Sequence, residues 1–196
     1  MSEISFQCEL AHFEDRLRLR YAIENGLDHA VAVLCGVSCG DVDGGTNITP
    51  NNLYAELQGD TLVLSKAALS VPPAMLTYMY TIPAGQVLAP GERLEESCAV
   101  AAPVRVRQPY VRGLLSGDVR ASRPVQVRKL KVAIGVVPAS PHVRFVADRP
   151  AYPELVSLVP ATVALELQTL AEYSFELDRD LTVLDYVATP WPGRAG

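Results

Sequence analysis

The chain has 196 residues, 49% hydrophobic and 20% charged, which is enough apolar material for a substantial core and too much for a disordered chain. Its net charge of −5 and isoelectric point near 5.2 argue against a nucleic-acid binder. Fifteen prolines and thirteen glycines, spread over the whole length, favour short strands joined by turns over long helices.

The first nine residues carry neither a basic region nor an apolar run, so they do not read as a secretory signal. No stretch has the length of apolar sequence needed to cross a bilayer. The expected compartment is the cytoplasm, where the four cysteines (Cys8, Cys35, Cys39, Cys98) are expected as free thiols.

In chain order, residues 4–10 alternate as a short strand. Residues 17–24 follow with Leu17, Leu19, Tyr21 and Ile23 on one side and Arg18, Arg20, Ala22 and Glu24 on the other. That period of two marks a strand with one face on a core and one in water. Asn25-Gly26 supplies turn chemistry, and residues 30–35 form a second apolar run. Residues 36–52 read as a loop. Residues 53–57 and 61–65 then flank a Gln58-Gly59-Asp60 hairpin link. Pro72-Pro73 cannot lie inside a central strand, and residues 77–82 resume as one.

Leu88-Ala89-Pro90-Gly91-Glu92 is a Pro-Gly turn into a strand over 93–100. Glu96 falls there between Leu94 and Cys98 on the apparent inner face, a conflict that a bulge or an edge position would resolve. Val104-Arg105-Val106-Arg107 suggests a short strand in an ambiguous region. Residues 126–137 give a long strand with Leu130, Val132, Ile134 and Val136 on one face. A short strand at 143–146 is expected next. Residues 160–171 fit a helix with proline in its first turn, favoured by propensity, but alternate well enough to fit a strand. Residues 173–177 and 181–187 read as strands.

Many short strands and at most one short C-terminal helix predict a mainly β protein, an antiparallel sandwich spanning residues 1–188 with a tail at 189–196. The alternating strand that ends at Tyr21–Asn25, together with the later turn Leu88–Glu92, resembles immunoglobulin-like domains of bacterial cytoplasmic proteins, of the intracellular proteinase inhibitor type. The resemblance covers about the first hundred residues and implies an immunoglobulin-like fold. It transfers no inhibitor residue to this chain.

The charge is uneven. Residues 105–131 hold eight basic groups against the single acid Asp118, which leaves the rest of the chain strongly acidic. The simplest reading sets this basic segment beside acidic strands of the same fold. An acidic or nucleic-acid partner is the competing one.

Candidate chemistry is sparse. Cys35, Cys39, Asp41 and Asp43 lie close in sequence and are the candidates for a metal. Cys-x3-Cys lacks a second Cys or His pair, and Asp-x-Asp-Gly lacks the later ligands of a calcium loop, so a solvated loop is preferred. His12, His29 and His142 sit apart in probable turns and match no hydrolase motif. No phosphate-cradling glycine motif is present, and no cofactor or catalytic residue is assigned.

Recognition is better supported. Tyr78 and Tyr80, bordered by Pro72-Pro73 and Pro83, and Trp191 in the C-terminal tail, are the candidate binding residues. A core role for the two tyrosines is the simpler alternative. The expected function is a non-catalytic protein–protein interaction or scaffold module, an inhibitor being one form of it. The expected partner is a protein, with no nucleic acid or membrane, and a homodimer through edge strands is the further option. The alternative is a β-scaffold that binds carbohydrate or another small ligand, or an enzyme on such a scaffold.

Overall fold

The structure is a computed structural model that describes residues 3–40, 46–70, 81–109 and 122–186. Its strands in the first half are β1 (Ile4–His12), β2 (Arg16–Asn25), β3 (Val31–Gly36), β4 (Ser38–Gly40), β5 (Thr46–Ile48), β6 (Tyr54–Gln58) and β7 (Thr61–Lys66). Then come β8 (Ala84–Leu88), β9 (Arg93–Ala101), β10 (Val104–Arg105) and β11 (Ser122–Pro138). The chain continues through β12 (Arg144–Val146), β13 (Leu155–Val159), the helix α1 (Ala161–Leu167) and β14 (Thr169–Tyr186). The protein is mainly β, with one short helix among the described residues.

The strands form a three-stranded antiparallel sheet, β1-β2-β9, and a nine-stranded sheet. A small β4-β5 pair stands apart. The nine-stranded sheet runs β10-β14-β11-β3-β8-β13-β12, with the β6-β7 hairpin joined to β11 beside β3. It curls into a half-barrel. The pairing is mixed, because β7 runs parallel to β11 and β10 parallel to β14. An all-antiparallel arrangement is therefore corrected. Alternation reports which face a strand buries and is silent on which neighbour it takes.

One core lies between the two sheets. Leu17, Leu19, Tyr21 and Ile23 of β2 meet Val31, Val33, Leu62, Leu64, Leu130, Val132 and Ile134 from the large sheet. A second cluster (Ala32, Leu34, Val137, Leu158, Ala164) covers the opposite face of the large sheet, where α1 packs against β11 and β13. Gly135 permits that cover. Gln168 approaches so closely that a Cβ at 135 would sit 2.3 Å from its Oε1. Gln168 uses that oxygen to accept from the Ala68 amide at 2.7 Å and donates back to the Ala68 carbonyl at 3.2 Å.

Several boundaries differ from expectation for local reasons. The helix occupies 161–167, and β14 then takes residues 169–186 as one strand where two were expected. A slip in register between Val127 and Lys129 of β11 absorbs the irregular residues 177–180. Between β6 and β7 the ladder closes at Gln58–Thr61, so the turn is Gly59-Asp60, with Gly59 left-handed at φ +63°.

Four cations of the basic segment find acids within the fold. Lys129 bonds Asp60 at 2.7 Å, Lys131 bonds Glu172 at 2.9 Å, and Arg128 bonds Asp180 at 2.5 Å. Arg123 lies 3.5 Å from Asp185.

Two crossings between the sheets are tied at one residue. Asn25 ends β2 and is fully buried. Its Nδ2 donates to the carbonyls of His29 at 2.9 Å and Leu88 at 3.0 Å, while Oδ1 accepts from the Leu27 amide at 3.1 Å. Its main chain donates to Glu92 at 2.9 Å and accepts from Gly91 at 2.7 Å. Glu92 donates to the Ala89 carbonyl at 3.0 Å, closing a turn in which Gly91 takes φ +80° after Pro90. That left-handed third position requires a glycine-like conformation. Replacing Asn25 strands buried main-chain groups of both crossings. Asn25→Ala is expected to lower unfolding free energy by about 1–3 kcal/mol, measured by urea denaturation. A loss within error would remove the residue from this role.

Candidate functional site

Charge inside the core is the feature that demands explanation. Register places Cys8, Tyr21 and Glu96 in one row across the three-stranded sheet, and Leu10, Leu19 and Cys98 in the next. Opposite them, Leu62, Leu64 and Lys66 of β7 line up beside Leu130, Val132 and Ile134 of β11. Lys66 therefore occupies an inward position that alternation would fill with a hydrophobe, and its side chain is 0% exposed.

Lys66 Nζ donates to Glu96 Oε2 at 2.7 Å. The Tyr21 hydroxyl donates to the same oxygen. The ammonium also lies 5.7 Å from the centre of the Tyr21 ring. An unpaired buried charge is strongly unfavourable, so two donors on one carboxylate and an aromatic face beside the cation are what allow the group to remain inside. Glu96 lies on an edge strand of its sheet, and its ladder with β2 runs from Arg93 to Ala101 without a bulge. A partner resolves the expected conflict at this residue, and the edge position leaves the carboxylate 14% exposed.

Two thiols, Cys35 and Cys98, lie near the pair, and a third, Cys8, lies across from Tyr21. Burial, with Glu96 nearby, pushes the Cys35 thiol up to about 12. Burial likewise pushes Cys8 to about 12, with Cys98 adding to the shift, and Cys98 itself to about 11. The Tyr21 hydroxyl is also held well above its ordinary range by burial and by Glu96. These groups stay protonated near neutral pH, and a protonated thiol is neither a nucleophile nor a good metal ligand. The cluster is a satisfied polar network closed to solvent at Lys66.

The residues singled out from sequence are not brought together here. Tyr78, Tyr80, Trp191, Asp41 and Asp43 lie outside the described residues. Cys35 faces the core, while Cys39 lies on β4 opposite Asn47. Cys8, Cys35 and Cys98 are free and buried. Among the described residues no group of three or more His, Cys, Asp or Glu is placed to hold a metal, and no helix is long and apolar enough to cross a membrane.

The second candidate lies where the sheets meet. β1 runs alongside β14, and no ladder joins them among the described residues. At one end Arg179 donates to the His12 carbonyl at 2.6 Å, and His12 Nδ1 stands 3.8 Å from Asp178. At the other end a cleft of about 340 Å³ opens between Ile4 and Phe6 of β1, Val136, and Thr169, Leu170, Ala171 and Glu172 of β14. Leu170 is 47% exposed and Tyr173 43%, with the Tyr173 and Phe175 rings 4.9 Å apart. Sequence pattern had assigned Tyr173 an ordinary strand position. Its exposure follows from incomplete closure of the seam.

Two outcomes test this account. Desolvation, and Arg179 next, hold His12 below its ordinary 6.5, against the opposing pull of Asp178. The unfolded chain thus binds a proton that the folded one resists. The stability His12 contributes is complete above pH 6.5 and falls as pH drops through its lowered folded value. A His12→Gln variant should lose that portion of the slope in a pH series of denaturation curves. In a Cys39→Ser background, a thiol reagent at neutral pH should leave Cys8, Cys35 and Cys98 unlabelled until the protein unfolds, and fast labelling of any of them would contradict the closed cluster.

No family model, curated protein or solved structure matches the chain.

Proposed function

We propose that the chain is a non-catalytic protein-binding module on an immunoglobulin-like β-sandwich, acting in the cytoplasm. The fold part of this reading is supported by Asn25, which joins the two segments that carry the resemblance, the end of β2 and the Leu88–Glu92 turn, through direct hydrogen bonds. Two sheets sharing one core are in keeping with it.

The observation that carries the binding reading is the β1–β14 seam, where Leu170 stands exposed beside partly buried Ile4 and Phe6, with Tyr173 exposed on the other face of β14. Large apolar side chains exposed along a strand near an unpaired seam suit a protein partner better than a polar substrate. The enzyme alternative finds less support, because Lys66, the strongest candidate for reactive chemistry, is fully buried. Inhibition of a proteinase is one form such binding can take, and the resemblance is what favours it.

Photo-crosslinking in the native cell tests the proposal. Benzoylphenylalanine in place of Tyr173 should give a discrete adduct with another protein, while the same group in place of Arg20, on the outer face of the three-stranded sheet, should not. Absence of an adduct at 173, or identical adducts at both positions, would contradict it.

A further inference from the structure

The closed end of the seam is built from an interruption of β14. Between the pairs Val127–Leu181 and Lys129–Glu176, the single residue Arg128 of β11 faces residues 177–180 of β14. Freed from that ladder, the stretch sends its charged side chains two ways. Asp180 takes Arg128 of β11, while Asp178 and Arg179 reach the last residue of β1. The bond from Arg179 to the His12 carbonyl ties β1 to a strand with which it shares no ladder among the described residues.

The His12 imidazole lies inside that contact. Its side chain is 8% exposed, and Nδ1 is buried with no hydrogen-bond partner among the described residues. β1 packs against β2 and β14. From β2, Leu17 stands across the ladder and Arg16 and Arg18 are exposed, as are Glu14 and Asp15 of the intervening turn. The charges that face the ring belong to β14: the Asp178 carboxylate, 3.8 Å away, and the Arg179 guanidinium.

A neutral ring suits this setting. A protonated one puts a charge in a buried place beside a second cation. Asp178 compensates little, because its distance exceeds a hydrogen bond and its side chain is 84% exposed to screening water.

We propose that this end of the seam is an acid-released latch. With His12 neutral, Arg179 holds the end of β1 on β14. With His12 protonated, that end lets go and frays, while the rest of both sheets persists. Desolvation and Arg179 hold the ring of the closed form below its ordinary 6.5, so the open form takes up a proton that the closed form resists. Closure is therefore complete above pH 6.5 and is lost as pH falls through the lowered value. The latch needs no partner and stands apart from the protein-binding reading.

Amide hydrogen exchange of the full chain, resolved by NMR and corrected for the intrinsic effect of pH, tests it. The Phe13 amide, which donates to the Arg16 carbonyl at 2.9 Å, reports on the end of β1. Between about pH 7.5 and pH 5 its protection should fall several-fold, levelling off once the His12 ring signals show it charged. Amides of residues 130–136 in β11 should keep theirs. His12→Gln should show the same Phe13 protection at both pH values. Asp178→Asn removes the charge that favours the protonated ring, so ring titration and loss of protection should move together to lower pH.

Protection that rises in acid would mean that Asp178 draws the charged ring inward, and would overturn the proposal. So would an equal loss in β11, which is general unfolding, or an unchanged loss in His12→Gln. Should that variant not fold, Asp178→Asn decides: a loss that stays in place while the ring titration moves sets the latch aside.

Discussion

The contact between Lys66 and Glu96 constrains this structure more than any other. It joins the last residue of β7 in the large sheet to the middle of β9 in the small one, across the shared core. A hydrophobic core is tolerant of small shifts between sheets, because its contacts are non-directional. A buried charge is not, since displacement by one residue would leave an ammonium or a carboxylate without a partner. The Tyr21 hydroxyl on the same carboxylate extends the requirement to β2. Strands from both sheets are thereby held in one register.

The other polar groups extend the same arrangement outward. Asn25 fixes the corner where β2 leaves the small sheet and where the chain returns to it through the Pro90-Gly91 turn. On the solvent face of the large sheet, Lys129, Lys131 and Arg128 answer acids of the β6–β7 turn and of β14. Exposed pairs of this kind contribute little each, on the order of 0–1 kcal/mol. Their significance is in sorting charge, so that the basic residues at 123–131 become part of a mixed surface.

Much of the β-architecture was legible in the residues. The alternation of Leu17, Leu19, Tyr21 and Ile23 identifies an inward face that the structure buries completely or nearly so. Leu130, Val132, Ile134 and Val136 do the same for β11. Glu96 was visible as an anomaly, but its partner was not. Ending the strand at Ser65 left out Lys66, although one more step of alternation from Leu62 and Leu64 points it inward. The parallel pairings were invisible for a different reason: they depend on which strands meet after long crossings, and no local pattern records that. The single strand over residues 169–186 was hidden by an irregular stretch that only its ladder with β11 explains. The seam itself is a product of closure, so Tyr173, in alternation with Phe175 and Leu177, carries no signal that separates it from a core position.

The proposed binding role draws on the same geometry. The interior is polar where it must hold the sheets together and is sealed there, while the exterior is apolar where closure is incomplete. A double-mutant cycle at Lys66 and Glu96 tests the central claim most directly, read as unfolding free energy in urea. Lys66→Met and Glu96→Leu should each cost about 3–5 kcal/mol because each leaves its partner charge buried and unpaired. The double variant should recover a large part of that loss, giving a coupling of at least about 2 kcal/mol. Additive losses, with no coupling between the two positions, would show that the buried pair does not hold the sheets in register.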